Sequence, residues 1–394
     1  MVKNYISLLC FLVVFQIGTA QYKQLSSNAE ISIITAGPGK ILYEGFGHSA
    51  IRIKDIDFDL VYNYGIFDFD APDFYLNFIK GKLLYKLQKY PFHYFVRSYN
   101  RDKRWIKEQI LNLTQKQKQL FYEYLENNAK PENASYYYDP FFNNCATKLR
   151  GILEGILQNN LVFNEDELNE KSSFRQLMND EVYWNTWGSF GINLIGGNIL
   201  DANATAKQHM YLPDYVYSGF KNAEVIKGSG KENLVKKENI ILNFKEIKIR
   251  SSILNPFLTF SIITVIGLFI TYRDYKRQKR TKWLDATLFF LTGFVGLVIL
   301  ILWFFSDHSS APNNLNFLWA FAPNLIVGFY MIRKNMKKWI KRYLQVLFIL
   351  LLVIPFIWLL EVQQFPLAIS PFLILLFIRY LYLLKEESLL PFKK

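Results

Sequence analysis

Cysteine is nearly absent from this chain, with two in 394 residues, and histidine is scarce, with four. His48, His93, His209 and His308 show no metal-ligand spacing, and neither Cys-x-x-Cys nor His-Glu-x-x-His occurs, so no metal and no cofactor is expected. Ala36-Gly37-Pro38-Gly39-Lys40 lacks the spacing of a phosphate loop and the Ser/Thr after its lysine, and reads as a turn. Acidic residues thin out beyond Arg250: residues 251–394 hold 16 Lys+Arg against 6 Asp+Glu, whereas residues 21–250 hold 29 against 27. The formal charge of +13 therefore comes almost wholly from the apolar C-terminal third, where a nucleic-acid partner is out of place and membrane topology is the better explanation. With 51% apolar and 17% aromatic residues, the chain is not a disordered polymer.

The N-terminus runs from Met1-Val2-Lys3 through the apolar Tyr5–Ile17 to Gly18-Thr19-Ala20, the pattern of a cleaved secretory signal over residues 1–20. Cys10 would leave with it, and the mature chain would keep one thiol, Cys145, with no intramolecular disulfide possible. Five apolar segments follow near 253–272, 283–305, 315–332, 343–360 and 364–384, each long enough for a span of ~20 residues. The loops 273–282 and 333–342 each carry six basic residues, and the loops 306–314 and 361–363 carry none. That alternation predicts the basic loops in the cytoplasm and residues 21–250 outside it, in agreement with a cleaved signal. Arg379 is the one charge deep in a span, which disfavours a proton pump or ion transporter.

In the soluble part, Ile31–Thr35 reads as a strand, and Gly45–Ile53, a strand pattern entered through glycines, and Phe58–Tyr64 read as a hairpin across Lys54-Asp55-Ile56-Asp57. Helices are expected over 73–90 and 114–129, the second capped by Thr114, and residues 139–158 read as a loop entering a helix capped by Asn143 or Asn144. Residues 221–250, polar and lysine-rich, read as a tether between a domain at 21–220 and a membrane domain at 251–394.

Chemistry centres on Cys145 and His48. The first helical position after an asparagine cap favours a thiolate, through unpaired backbone amides and the helix dipole, although a free cysteine is more commonly a small buried hydrophobe. His48 is the natural general base for such a thiol, or else a strand histidine satisfied by hydrogen bonds; Gly45 and Gly47 would leave room beside it for substrate. If the turn pairs Lys54 with Asp57, Asn63 lies opposite His48 on the same face and can fix the imidazole tautomer. Asp59 would then face Arg52, more simply as an ion pair than as a third catalytic residue, and a register slip would change both assignments.

Gly47-His48-Ser49-Ala50-Ile51-Arg52, Tyr62-Asn63-Tyr64-Gly65-Ile66-Phe67 and Asn143-Asn144-Cys145-Ala146-Thr147 resemble the signature blocks of the Lnb-type N-terminal periplasmic domain. Asp201–Thr205 followed by Met210–Asp214 is similar to a further block, so the resemblance covers about residues 25–220, and the apolar tail suits the membrane-anchored members. The resemblance implies an α+β, circularly permuted papain-like (NlpC/P60-like) domain followed by an all-α domain of five transmembrane helices. It implies a bacterial lipoprotein N-acyltransferase, with phospholipid as acyl donor, a diacylated lipoprotein as acceptor, and Cys145 and His48 as the family's catalytic pair. It places the protein in the inner membrane with its N-terminal domain in the periplasm and its C-terminus in the cytoplasm. Asn143, Asn144 and Tyr62 are candidate oxyanion or substrate contacts for that chemistry, the two asparagines being more simply caps. Two rivals stand beside this reading: a membrane-tethered cysteine peptidase or amidase acting on cell-wall peptide, and a non-enzymatic scaffold that binds a lipoprotein.

Overall fold

Ile31 and Ile33 of strand β1 (Glu30–Ala36) pack on one face of a sheet, and Ile34 and Ala36 on the other. Ile51 and Ile53 against Ala50 in β2 (His48–Lys54), and Tyr62 and Tyr64 against Val61 in β3 (Asp59–Ile66), divide in the same way. A strand buried on both faces needs helices on both. The computed structural model, which describes residues 22–68, 70–164, 172–228, 230–247, 251–333 and 338–389, supplies them. The expected signal peptide lies outside the described residues.

Along the chain follow α1 (Phe74–Ile79), β4 (Leu84–Pro91), α2 (Phe92–Arg101), β5 (Ile106–Leu111), α3 (Gln115–Asn128), β6 (Ser135–Tyr137) and α4 (Cys145–Leu157). After β7 (Leu161–Val162) come α5 (Phe174–Glu181), α6 (Trp187–Ile195), α7 (Ala206–His209), α8 (Pro213–Lys221), β8 (Glu224–Lys227), β9 (Gly230–Asn233) and β10 (Val235–Leu242). The main sheet has the order β10-β5-β1-β2-β3-β4-β6, and its paired strands are antiparallel. Leu149, Leu153 and Leu157 of α4 and Phe121 and Leu125 of α3 cover one face; Phe92 and Phe95 of α2 cover the other. The domain is α+β, as expected.

Three expectations differ from the structure. Residues 73–90 are not one helix: Gly81, at φ +75°, ends α1, and β4 pairs with β3. Residues 221–250 are not a plain tether, because β10 forms the edge of the main sheet against β5. Its lysines line an exposed edge, a common way to blunt one, and in the sequence they look like linker. The hairpin register also moves: Lys54 pairs with Asp59, around a four-residue loop closed by Asp55 N–H donating to Phe58 O at 2.8 Å.

The C-terminal region is helical, with α9 (Pro256–Arg277), α10 (Lys282–Phe304), α11 (Asn324–Met331), α12 (Lys338–Leu359) and α13 (Ser370–Leu389). Four helices among the described residues are long and apolar enough to cross a membrane. The fifth expected span, 315–332, is broken into a 3-10 turn at Leu315–Leu318 and the eight-residue α11, about 12 Å long. Apolar length hides buried polar contacts: Trp319 Nε1 donates to Asn316 Oδ1 at 2.9 Å, and Asn324 Nδ2 donates to Thr292 Oγ1 at 2.8 Å. Gly293 and Gly296 let this irregular backbone press onto α10, since a Cβ at Gly296 would stand 1.9 Å from Ala320 O. Arg379 is held between Asp274 at 2.9 Å and Asp285 at 2.7 Å, so the buried cation is paired twice.

The two regions are bonded together. Trp187 Nε1 donates to Leu254 O at 2.8 Å, Phe257 N–H to Asn185 Oδ1 at 3.0 Å, and Asn314 Nδ2 to Leu194 O at 2.8 Å. Gln364 N–H reaches Asp201 Oδ1 at 3.0 Å, and Ser309 bonds Asp139, six residues before Cys145.

Candidate active site

Helix α4 begins at Cys145 because Asn144 caps it. Asn144 Oδ1 accepts from Thr147 N–H at 2.9 Å, and Thr147 Oγ1 accepts from Asn144 N–H at 2.8 Å. The Asn144 amide donates to Pro140 O at 2.7 Å and to Tyr211 O at 2.8 Å, so both of its hydrogens are engaged and it is not free for an oxyanion. Asn143 Nδ2 donates to Tyr137 O. The capping reading therefore describes Asn144, whereas Asn143 ties the approach to the helix back to Tyr137.

Across from this helix start, His48 opens β2. Gly47, at φ +72°, feeds it into the sheet where a Cβ would meet Ala36 O at 2.9 Å. This glycine serves a close strand crossing rather than open space for substrate. Continuing the observed register sets His48 level with Gly65 and Ala50 level with Asn63. The two-residue shift keeps Asn63 on the expected face, now as a diagonal neighbour, and His48 Nε2 lies 2.6 Å from Asn63 Oδ1. Asn63 Nδ2 donates to Tyr90 OH at 2.8 Å, which turns its carbonyl toward the imidazole. Nε2 thus carries the hydrogen, and Nδ1 is left for the thiol.

His48 and Cys145 interact through charge and a side-chain hydrogen bond. Burial pushes the thiol pKa up, but the imidazolium and backbone amides of Ser49 and Ala146 outweigh it, and the thiol titrates below its ordinary value. Burial likewise disfavours the imidazolium, and the Arg104 charge opposes it, yet the thiolate and Asn63 carry the His48 pKa above normal. The arrangement is a buried cysteine–histidine pair, each drawn toward its charged form by the other, with an amide behind it, the layout of an activated nucleophile.

Asp59 stands apart from this group. Arg52 Nη2 and Nε hold its two oxygens at 2.6 and 2.7 Å, so the ion-pair reading describes it. The Tyr62 hydroxyl donates to Glu126 Oε1 on α3 at 2.5 Å, in the core beneath the sheet, and does not join the dyad.

Several neighbours carried no signal of their own in the sequence. The imidazole stacks on Phe95 with ring centroids 6.4 Å apart. Gly65, at φ +93°, leaves a gap in which a Cβ would lie 3.8 Å from Cys145 Cβ, 3.9 Å from His48 Cε1 and 4.0 Å from the Tyr138 ring. Arg104 is buried, donates to Gly37 O at 2.8 Å and lies over the Tyr99 ring. Among the described residues, no three His, Cys, Asp or Glu side chains are grouped to hold a metal ion.

Two family models match the chain. Residues 18–180, which hold His48, Asn63 and Cys145, match the Lnb N-terminal periplasmic domain, and residues 248–388 match the Lnb transmembrane domain. The chain belongs to the Lnb family. Membership makes it a membrane protein with a periplasmic N-terminal domain, and points to a membrane enzyme that modifies lipoproteins. No curated protein and no solved structure matches it.

Proposed function

We propose that this Lnb protein is a lipoprotein N-acyltransferase, moving a fatty acyl chain from a phospholipid through a Cys145 thioester to the α-amine of a diacylglyceryl-cysteine lipoprotein. The observation that carries the reading is the Cys145–His48–Asn63 chain in a domain bonded directly to a membrane-spanning one. Both substrates are lipids held in a bilayer, so a thiol enzyme acting on them needs that attachment. In the proposed topology the basic loops and the C-terminus are cytoplasmic, and the catalytic domain faces the periplasm of the inner membrane.

The Cys145 thiolate attacks the ester carbonyl of the donor. The tetrahedral intermediate collapses with cleavage of the C–O bond, and the His48 imidazolium gives its proton to the departing lysophospholipid. Neutral His48 then takes a proton from the lipoprotein amine as that nitrogen attacks the thioester carbonyl. The C–S bond breaks, and the thiolate–imidazolium pair returns with the amide formed. Asn63 holds the imidazole tautomer throughout, and the first-turn amides of α4 offer donors for the oxyanion.

Purified protein incubated with phospholipid and a synthetic diacylated lipopeptide is expected to give a product heavier by one fatty acyl chain. Cys145→Ala protein, or a lipopeptide whose amine is acetylated, should give none. Cleavage of cell-wall peptides without acyl transfer would replace this reading with the amidase one.

A further inference from the structure

Helix α1 presents apolar side chains to the outside: Tyr75, Leu76, Phe78 and Ile79 are 70%, 48%, 46% and 51% exposed. A six-residue helix in a water-soluble domain has no reason to show such a face. Its position supplies one. The C-terminal end of α1 is fastened to the residues just after the α10 span: Asp307 N–H donates to Lys80 O at 2.8 Å, and His308 Nε2 lies 2.8 Å from Phe78 O. Gly81 permits the contact, because a Cβ there would stand 2.5 Å from His308 N. Phe304 and Phe305 at the end of that span are 63% and 78% exposed, so α1 stands at the level where the span leaves the hydrocarbon. Exposed Lys80 and Lys82 follow its apolar face and exposed Asp70 and Asp73 precede it, and apolar side chains next to lysines suit an interfacial helix that turns its lysine end to phosphate headgroups.

From α1 an aromatic row runs inward. The Phe74 ring lies 6.2 Å from Phe67, Phe67 lies 4.9 Å from Tyr85, and Tyr85 stacks on Tyr138 at 4.2 Å. Tyr138 borders the gap at Gly65 beside the Cys145 side chain. Tyr43, 55% exposed, packs on Phe67 from the other side at 5.6 Å.

We propose that α1 is a membrane-inserted docking element and that the aromatic row behind it guides a phospholipid acyl chain from the leaflet to Cys145. The occupant is lipid because the face is continuous with the membrane domain, to which the lysine-bearing end of α1 is bonded. The guiding role rests on the acyl-transfer reading, and the lipid contact of α1 does not.

Two measurements on the full-length protein in nanodiscs of phosphatidylethanolamine and phosphatidylglycerol test the two parts. With Cys10→Ala and Cys145→Ala as background, nitroxides on Leu76→Cys and Ile79→Cys should be broadened by oxygen and protected from a water-soluble nickel reagent. A nitroxide on Ile56→Cys, a residue 75% exposed in the β2–β3 loop, should show the reverse. Nickel access at 76 and 79 equal to that at 56 overturns the docking element. In the second measurement, the Leu76→Asp, Ile79→Asp double variant should acylate Cys145 from phospholipid about tenfold or more slowly, with iodoacetamide alkylation of Cys145 at the wild-type rate. Unchanged acylation overturns the guiding role. If the wild-type protein takes no acyl group from phospholipid, the acyl-transfer reading and the guiding role fall together, and the nitroxides alone decide the lipid contact.

Discussion

Cys145 is 8% exposed, a burial that by itself favours the neutral thiol, and His48 together with the amides of Ser49 and Ala146 draws its pKa down. This fixes the sign of the pH dependence. The thiol pKa is lowered and the imidazole pKa raised, so turnover should rise as pH climbs through the lowered thiol value and fall as it climbs through the raised imidazole value. Iodoacetamide should alkylate wild-type Cys145 rapidly near neutral pH. In His48→Ala protein the largest lowering cause is gone, and only the amides of Ser49 and Ala146 still oppose burial, so alkylation should need more alkaline solution; an unchanged profile would show that the pair does not exist. Asn63→Ala should lower turnover by about 10- to 1,000-fold with a shifted pH profile, because an orienting group is less costly to lose than a nucleophile. His48 and Cys145 were legible in the sequence, since each sits in a local pattern: glycines before a strand for one, a cap before a helix for the other. Tyr90, Phe95 and Arg104 were not, because only the packing of β4, α2 and the turn after α2 brings them near the imidazole.

The strand pairing of β2 with β3 and the start of α4 deliver the residues of the site. The hairpin loop is two residues longer than its composition suggested, and Asp55, held by Ser26 from a distant part of the chain, stabilises it. An even shift preserves faces, which is why the Asn63 contact survived a wrong register; a shift of one residue would have turned Asn63 away. Helix α4 was legible through its cap and leucine stripe. The strand β4 was hidden behind helix-prone leucines, and β10 behind its lysines. Asn144→Ala tests the element scale. It removes a cap and leaves two buried carbonyls without their donor, and should cost about 1–2 kcal/mol, read as a lower unfolding temperature in detergent. Wild-type stability would show that the cap does not hold this helix.

For the whole molecule, the segments on either side of the membrane boundary behave as one bonded structure. Loop 306–316 touches α1 through His308, the approach to Cys145 through Ser309 and Asp139, and α6 through Asn314 and Asn316. Hydropathy revealed the spans but not the break at 315–332, because window averages do not register asparagines that bond one another inside a protein. The docking between the two regions was illegible for a similar reason: it uses backbone groups and scattered polar residues that form no motif. This architecture joins the Cys145–His48 pair to a membrane domain, and the central claim is that the Cys145 thiol stores a fatty acyl group. The most direct measurement is the intact mass of the purified wild-type protein after incubation with phospholipid and no lipoprotein. The account predicts a gain of one fatty acyl chain on Cys145, released by hydroxylamine and absent from Cys145→Ala. An unmodified mass, under conditions where iodoacetamide still alkylates Cys145, would contradict it.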